Sequence, residues 1–392
     1  MTPGARIAAA IEVLDRTISG ASAEKELISW SRRSRFAGSK DRAAVRDLVF
    51  DALRKYQTYQ ALSGQSSSGL SGRSLMIGAI RAEDGNPEDI FNGDKYNPTP
   101  LTQAEMDSRP DGTWCSNLPD WVFDALVSDL GFDGAKSQAR FLSDRAPITL
   151  RVNVARTNRD ELQASLKNQG FDPEINPLSD TALTIRGSGR GLMNVPEFQN
   201  GAFEMQDAAS QALVDALPLT EANTILDFCA GGGGKSLAMA AQTRARISAH
   251  DISAQRLKAL DSRAARAGVH IKTEPDFGAF LAASFDLVLV DAPCSGSGSW
   301  RRAPDAKWRF NQQDLDAFTV TQRKILAKSQ SLVTRGGCLA YATCSILSAE
   351  NTSQRDWFLR EFPDWCVVRE QNWLVSDSGD GFFLSQFRRS TD

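Results

Sequence analysis

The stretch "ILDFCAGGGGKSLAMA", residues 225–240, sets four consecutive glycines in front of Lys235 and Ser236. A glycine run followed by lysine and a hydroxyl resembles a phosphate-cradling loop, but that loop needs a glycine five residues before its Gly-Lys pair. Cys229 occupies that place. The dinucleotide fingerprint G-x-G-x-x-G fails too, because counting from Gly231 and Gly233 its third glycine falls on Ser236. What remains is an apolar run over 224–228, charged only at Asp227, that enters a glycine turn and then a helix of small residues. This order predicts the first strand–turn–helix unit of a doubly wound α/β sheet, whose turn lets a ligand approach the backbone closely. A glycine corner that binds nothing would carry the same local sequence.

The next segment, "ARISAHDISAQRLKALDSRAARAGV", reads as a second strand ending at Asp251, then a helix capped by Ser253 and stopped by Gly268. Asp251 lies twenty residues beyond Gly231. A carboxylate there can accept both ribose hydroxyls of an adenosine-containing cofactor. That suits NAD or S-adenosylmethionine better than a P-loop nucleotide. The plainer alternative is a strand-end carboxylate that caps the following helix.

From residue 221 onward strands and helices alternate: "ANTILDF", "ARISAHD", "HIKTE", "FDLVLVD" and "GCLAYAT" are the strands. The pattern predicts a mostly parallel sheet with helices on both faces, a domain covering 216–392. Residues 111–215 read as a long helix followed by a mixed α+β module, with strand "PITLRVNV" and helix "RDELQASLKNQG". Residues 1–110 read as helices, interrupted by the flexible "SGQSSSGLSGRS" and a Pro/Asn/Asp-rich region near 86–100. At 392 residues, 41% hydrophobic and 24% charged, the chain has the composition of a folded globular protein with two or three domains. The N-terminal "MTPGARIAAAIEVLDRTI" is unlike a signal peptide and no apolar run reaches membrane-spanning length, so a cytoplasmic protein is expected, with no membrane partner. Six scattered cysteines without a C-x-x-C pair and two histidines argue against a zinc site or a disulfide framework; no metal is expected. A net charge of -3 does not announce a nucleic-acid binder. Local cations do cluster, at Arg32, Arg33, Arg35, Lys40 and Arg42, at Arg186 and Arg190, and at Arg301, Arg302, Lys307 and Arg309. A charge run is most often simply a solvated face.

The chemistry of such a sheet belongs at the carboxyl ends of its strands. The fourth ends in Asp291-Ala292-Pro293-Cys294 and the fifth in Thr343-Cys344-Ser345. Cys338, inside its strand, reads as a small buried hydrophobe. Cys294 and Cys344 instead follow their strands into polar turns; if the doubly wound order makes those strands neighbours, both thiols are expected to face one crevice beside the glycine loop. A thiolate has a use there. Carbon 5 of a pyrimidine is a poor nucleophile until a thiolate adds at carbon 6 and turns the ring into an enamine. A carboxylate beside ring nitrogen 3 and the exocyclic amine favours the electron-poor ring that accepts the thiolate. A base must later remove the carbon-5 proton so that the cysteine can leave. This is covalent catalysis, and it needs a Cys, an Asp and a second group active during release.

"DFCAGGGGKS", "DAPCSGSG…RRAPDAKW" and "YATCSILSAEN" resemble the motifs of the RsmB/NOL/NSUN family of RNA cytosine-5 methyltransferases. The resemblance continues through "LRVN", "GAFEMQDAASQ" and "GDGFFLSQF", from about residue 115 to the end. More faintly, "GSKDRAAVRDLVFDALRKY" resembles the helical NusB-like domain of the bacterial RsmB type. The resemblance implies a class I methyltransferase sheet of Rossmann-like α/β type, preceded by a small α+β RNA-binding module and an all-helical N-terminal RNA-binding domain. It implies S-adenosylmethionine as cofactor and RNA, chiefly ribosomal RNA, as substrate for a monomeric enzyme. Carried over residue by residue, Cys344 matches the nucleophile, Cys294 the cysteine that assists release, and Asp291 the carboxylate beside cofactor and base. Cys229, Ala230, Gly231, Gly232, Gly233, Gly234 and Lys235 match the methionine-side cofactor loop, Asp251 the ribose carboxylate, and Asp276 the acidic residue beside the adenine. Around Asp276, "TEPDFGAF" shares little else with the family. The family loop usually reads Ala-Ala-Pro-Gly-Gly-Lys, so Gly231 and Gly232 replace an alanine and a proline. That exchange raises the entropy of the unfolded loop and lowers the expected cofactor affinity. DNA cytosine-5 methyltransferases attack through the Pro-Cys cysteine, which would be Cys294; residue chemistry alone does not choose between the two thiols. Two readings compete. An NAD-dependent oxidoreductase is opposed by the broken fingerprint, and an RNA-binding ribosome-assembly factor without turnover is opposed by the intact Asp291, Cys294 and Cys344.

Overall fold

The computed structural model describes residues 1–64 and 69–389; of the stretch expected to be flexible, residues 65–68 lie outside it. The chain forms two compact units, residues 1–145 with 300–310, and residues 146–299 with 311–392. This division differs from the sequence-based boundaries at 110 and 215. The helix Asp120–Ser143 belongs to the first unit, where Gln57 Nε2 and Thr58 N–H bond to Leu118 O (2.9 Å) and Asn117 Oδ1 (3.0 Å) just before it.

The first unit is helical: Pro3–Ile18, Ala23–Arg33, Ser39–Arg54, Tyr56–Ser63, Gly72–Ala82, Gln103–Asp107 and Asp120–Ser143 are its main helices. Thr2 starts the first, its hydroxyl accepting from Ala5 N–H at 3.2 Å, with Pro3 at the first helical position, where no donor is missed. Ala10, Val13 and Leu14 bury one stripe of that helix in a core shared with Val45, Val49, Leu53 and Leu75. The segment 300–310 completes this unit. Lys307 Nζ donates to Arg54 O (3.0 Å) and Trp308 Nε1 to Leu53 O (2.7 Å), satisfying carbonyls left open at the end of helix Ser39–Arg54.

The second unit holds two sheets. The smaller contains β1 (Ile148–Val152), β2 (Asp172–Ile175), β3 (Ala182–Arg186) and β4 (Phe203–Met205) in the order β2-β3-β1-β4, every neighbouring pair antiparallel. The helix Arg159–Asn168, capped by Asn158, connects β1 to β2 while β3 lies between them, a split form of the βαβ module expected there. The larger sheet contains β5 (Thr224–Asp227), β6 (Arg246–Ala249), β7 (Lys272–Thr273), β8 (Phe285–Asp291), β9 (Val333–Thr343), β10 (Trp365–Trp373) and β11 (Phe382–Arg389). Its order is β10-β11-β9-β8-β5-β6-β7, parallel from β9 to β7 and closed by an antiparallel pair, β10 and β11. The expected α/β architecture is present. Strand β6 stops at Ala249, two residues short of the expected end, because the chain at His250 turns to exchange hydrogen bonds with Asp227 O and Ala230 N. Among the described residues no helix is long and apolar enough to cross a membrane.

Candidate active site

Strands β5, β6, β8 and β9 deliver the chemistry at their carboxyl ends. The glycine turn follows β5. Gly231 (φ +55°) and Gly233 (φ +77°) occupy the left-handed region that favours glycine, whereas Gly232 and Gly234 do not. The helix Gly234–Gln242 then begins, and its first turn carries Lys235 and Ser236, both buried. Two arginines brace the loop where the family has a proline. Arg263 Nη1 donates to Gly232 O, and Arg151 Nη1 donates to Gly234 O at 2.7 Å. Glu204 in turn holds Arg263 (3.1 Å) and Arg266, and Arg151 also bonds Gln206. Neither brace is visible in the loop sequence.

Asp251 is 3% exposed and already engaged. Its Oδ2 accepts from Gly231 N–H (2.9 Å) and pairs with Arg256 (3.3 Å), while its Oδ1 accepts from Ser253 N–H (2.9 Å). The carboxylate therefore ties the glycine turn to the end of β6. Ile252 beside it is 97% exposed, an apolar group on the site's rim that the sequence reading did not single out. Asp276 is exposed and accepts from Gly278 N–H at 2.9 Å, starting the short turn Phe277–Ala279; among the described residues no hydrogen bond or ion pair joins it to the other site residues. Cys229 follows β5 half-buried, and burial pushes its thiol up, with the charge of Asp227 next in effect. Ala230 donates its N–H to His250 O at 2.8 Å.

Strands β8 and β9 pair in parallel with Asp291 opposite Ala342, which brings the two cysteine turns side by side. The Sγ atoms of Cys294 and Cys344 lie 3.4 Å apart, both thiols free and partly exposed. The hydrogen bond shared with Cys344, then burial, then the charges of Cys344 and Glu350 raise Cys294 well above the ordinary thiol range, so Cys294 keeps its proton. Lys235 Nζ bonds Asp291 Oδ2 at 2.7 Å. Burial opposes the charged lysine, but the carboxylate of Asp291 and the nearby Cys344 sulfur hold its pKa above the usual value. Cys344, Cys294, Asp291 and Lys235 thus form one constellation.

Two further residues hold it in shape. Glu350, fully buried, accepts from Ser295 N–H (2.9 Å), from the Ser295 hydroxyl and from Gln322 Nε2 (3.1 Å), fixing the turn of Cys294. Asn351 accepts from Thr343 Oγ1 (2.6 Å) and donates to Ser345 O (2.9 Å), gripping the residues on either side of Cys344. Adjacent residues therefore set both cysteine turns. The sequence offered one signal, the polar "SAEN" just past the second cysteine, without a role to attach to it.

Residues 214–388 match the family model described as 16S rRNA methyltransferase RsmB/F, and residues 118–190 match the ferredoxin-like domain of RsmF/B-like methyltransferases. The ribosomal RNA small subunit methyltransferase B of Cronobacter sakazakii is 33% identical over 258 residues, 62% of this chain and 60% of the relative. The chain thus spans about 60% of the length of the curated relatives it matches. Among solved structures, PH0851 superposes with a TM-score of 0.76 at 21% identity, covering 99% of both chains. NSun6 from Pyrococcus horikoshii, solved with SFG, gives a TM-score of 0.61 at 17% identity over 70% of this chain and 99% of that one. At these identities the two structures speak for the fold alone.

Proposed function

The chain belongs, over residues 118–190 and 214–388, to the RsmB/F methyltransferase family, and from that starting point we propose that it methylates carbon 5 of a cytosine in ribosomal RNA. The observation that carries this reading is the pair of thiols 3.4 Å apart at the ends of neighbouring strands, beside the Lys235–Asp291 ion pair. S-adenosylmethionine, when bound, supplies an electrophilic methyl group on a sulfonium. The residues fit it. Left-handed glycines leave the turn without side chains over the backbone, Asp251 offers a carboxylate to ribose hydroxyls, and the exposed Asp276 has the family's place for the acidic residue beside the adenine.

Cys344 acts as the nucleophile. Its sulfur has a cation, Lys235, near enough to sense it and a neighbouring thiol, Cys294, that keeps its proton and can donate to it. Addition of the Cys344 thiolate at carbon 6 forms the S–C bond and moves a ring electron pair to carbon 5, which takes the methyl group. Asp291 faces ring nitrogen 3 and the exocyclic amine, and Lys235 fixes its orientation through the 2.7 Å bond. A water molecule takes the carbon-5 proton, the freed electron pair restores the ring double bond, and the carbon–sulfur bond breaks to release the Cys344 thiolate, to which the protonated Cys294 can donate. Cys294, 3.4 Å away, assists that release. Residues 1–110 and the module 111–215 bind the RNA, and the enzyme works as a cytoplasmic monomer. The altered glycine loop favours the reading as an assembly factor without turnover, and the braces from Arg151 and Arg263 weigh against it. Calorimetry with S-adenosylmethionine and bisulfite mapping of ribosomal RNA from a deletion strain test the proposal. Absent cofactor binding, or a full set of 5-methylcytosines in the deletion strain, would overturn it.

A further inference from the structure

Between helices Ala23–Arg33 and Ser39–Arg54 the chain makes a tight turn, with Ala37 N–H donating to Ser34 O at 3.0 Å. The turn's ends are anchored: Ser34 is 8% and Ala37 3% exposed. Its two central residues, Arg35 and Phe36, point outward, and Phe36 is 76% exposed. Central turn positions ordinarily go to Pro, Asn, Asp or Gly, for backbone reasons. A phenylalanine left in water forgoes the stabilisation that burial would return. Cations surround it in sequence. Arg33 pairs with Glu12 at 3.0 Å, and the nearest carboxylate, Asp41, is taken up by the N-terminal amine (3.1 Å) and Arg6 (2.8 Å). Among the described residues Arg32, Arg35, Lys40 and Arg42 have no ion-pair partner. Arg32 suits the end of its helix, but Lys40 and Arg42 sit in the first turn of the next one, where cations are unfavourable. An exposed ring among unneutralised cations matches a polyanion that carries flat apolar faces.

We propose that this turn binds single-stranded RNA, with Phe36 stacked on an unpaired base and Arg32, Arg35, Lys40 and Arg42 on the flanking phosphates. A duplex offers the cations phosphates but hides its base faces, so the ring selects an unpaired segment. The inference rests on the reading of the chain as an RNA enzyme and adds which kind of RNA its N-terminal unit grips.

The test uses the full chain, with anisotropy titrations of an unstructured mixed-sequence oligoribonucleotide and of inorganic polyphosphate across a salt series. Phe36→Ala should weaken RNA binding roughly 5- to 150-fold, the loss of one stacked base. It should leave polyphosphate affinity and the salt slope unchanged, and Phe36→Trp should restore RNA binding. Arg35→Ala and Arg42→Ala should each reduce the log–log salt slope by about 0.7 for the single strand. Wild-type RNA affinity in Phe36→Ala, or an equal loss for polyphosphate, would overturn the stacking. A wild type that methylates ribosomal RNA while Phe36→Ala binds normally refutes the turn alone. A wild type with no RNA affinity refutes the RNA reading itself.

Discussion

Alanine substitution at Gly231 and at Gly233 should have unequal effects, although the two glycines are neighbours but one in the same turn. Each has a left-handed backbone, φ +55° and +77°. An alanine there costs about 1–2 kcal/mol in backbone strain, offset by about 0.4–1 kcal/mol because the unfolded chain loses freedom. At Gly231 the added Cβ would stand 2.7 Å from Arg256 Nη2, the end of a long side chain that is 64% exposed and can swing away. At Gly233 it would stand 2.2 Å from Leu260 Cδ1, and Leu260 is fully buried. Overpacking adds about 1–3 kcal/mol there. The expected losses are therefore about 1 kcal/mol for Gly231→Ala and about 2–4 kcal/mol for Gly233→Ala. Urea denaturation of the full chain measures the difference, and calorimetry with S-adenosylmethionine shows whether the turn's opening changes with it. Equal losses, or a Gly231→Ala protein more stable than wild type, would refute the turn geometry.

Burial above all, and then the charge of Asp291, raise Asp227 to about 7 against the hydrogen bond from Ser236. The folded chain thus keeps a proton that the unfolded chain releases near pH 4; its stabilising effect is complete below that pH and lost as pH rises through about 7. Asp227→Asn should flatten the stability–pH curve over that window, and an unchanged slope would contradict the assignment. Asp251→Ala should abolish tight cofactor binding and also cost about 1–3 kcal/mol, because the N–H groups of Gly231 and Ser253 lose their acceptor; full retention of cofactor affinity would remove Asp251 from the site. Glu350→Ala strips the acceptor from Ser295 N–H and Gln322 and should cost about 1–3 kcal/mol while disturbing the Cys294 turn. Thiol cross-linking between positions 294 and 344 reads out that turn, and unaltered cross-linking in the variant would argue against the clamp.

Three of the parallel strands, β5, β8 and β9, were legible because each carries an apolar run that ends in a chemically distinctive residue, Asp227, Asp291 or Thr343-Cys344. Their order places the two thiols together, as the sequence had implied. The antiparallel edge was not legible: "WCVVREQNW" in β10 mixes apolar and polar residues, is largely exposed between its two buried tryptophans, and pairs with β11 alone. Nor was the place of residues 300–310. "RRAPDAKW" reads as part of the sheet domain, yet Lys307 and Trp308 are bound to the last carbonyls of helix Ser39–Arg54, more than two hundred residues earlier in the chain. Glu350, Asn351, Arg151 and Arg263 act through space on residues far from them in sequence, which no local pattern records.

Covalent trapping tests the central claim most directly. The wild type, Cys344→Ala, Cys294→Ala and the double variant would each be incubated with substrate RNA and S-adenosylmethionine and run on a denaturing gel. A substrate with 5-fluorocytosine at the target, which has no proton to lose at carbon 5, serves as the trap for the wild type. The account predicts a protein–RNA adduct in Cys294→Ala, because addition and transfer proceed and release stalls, and a 5-fluorocytosine adduct of the wild type that maps to Cys344. It predicts no adduct in Cys344→Ala or in the double variant. An adduct that persists in Cys344→Ala and maps to Cys294 would contradict it and reverse the roles of the two thiols.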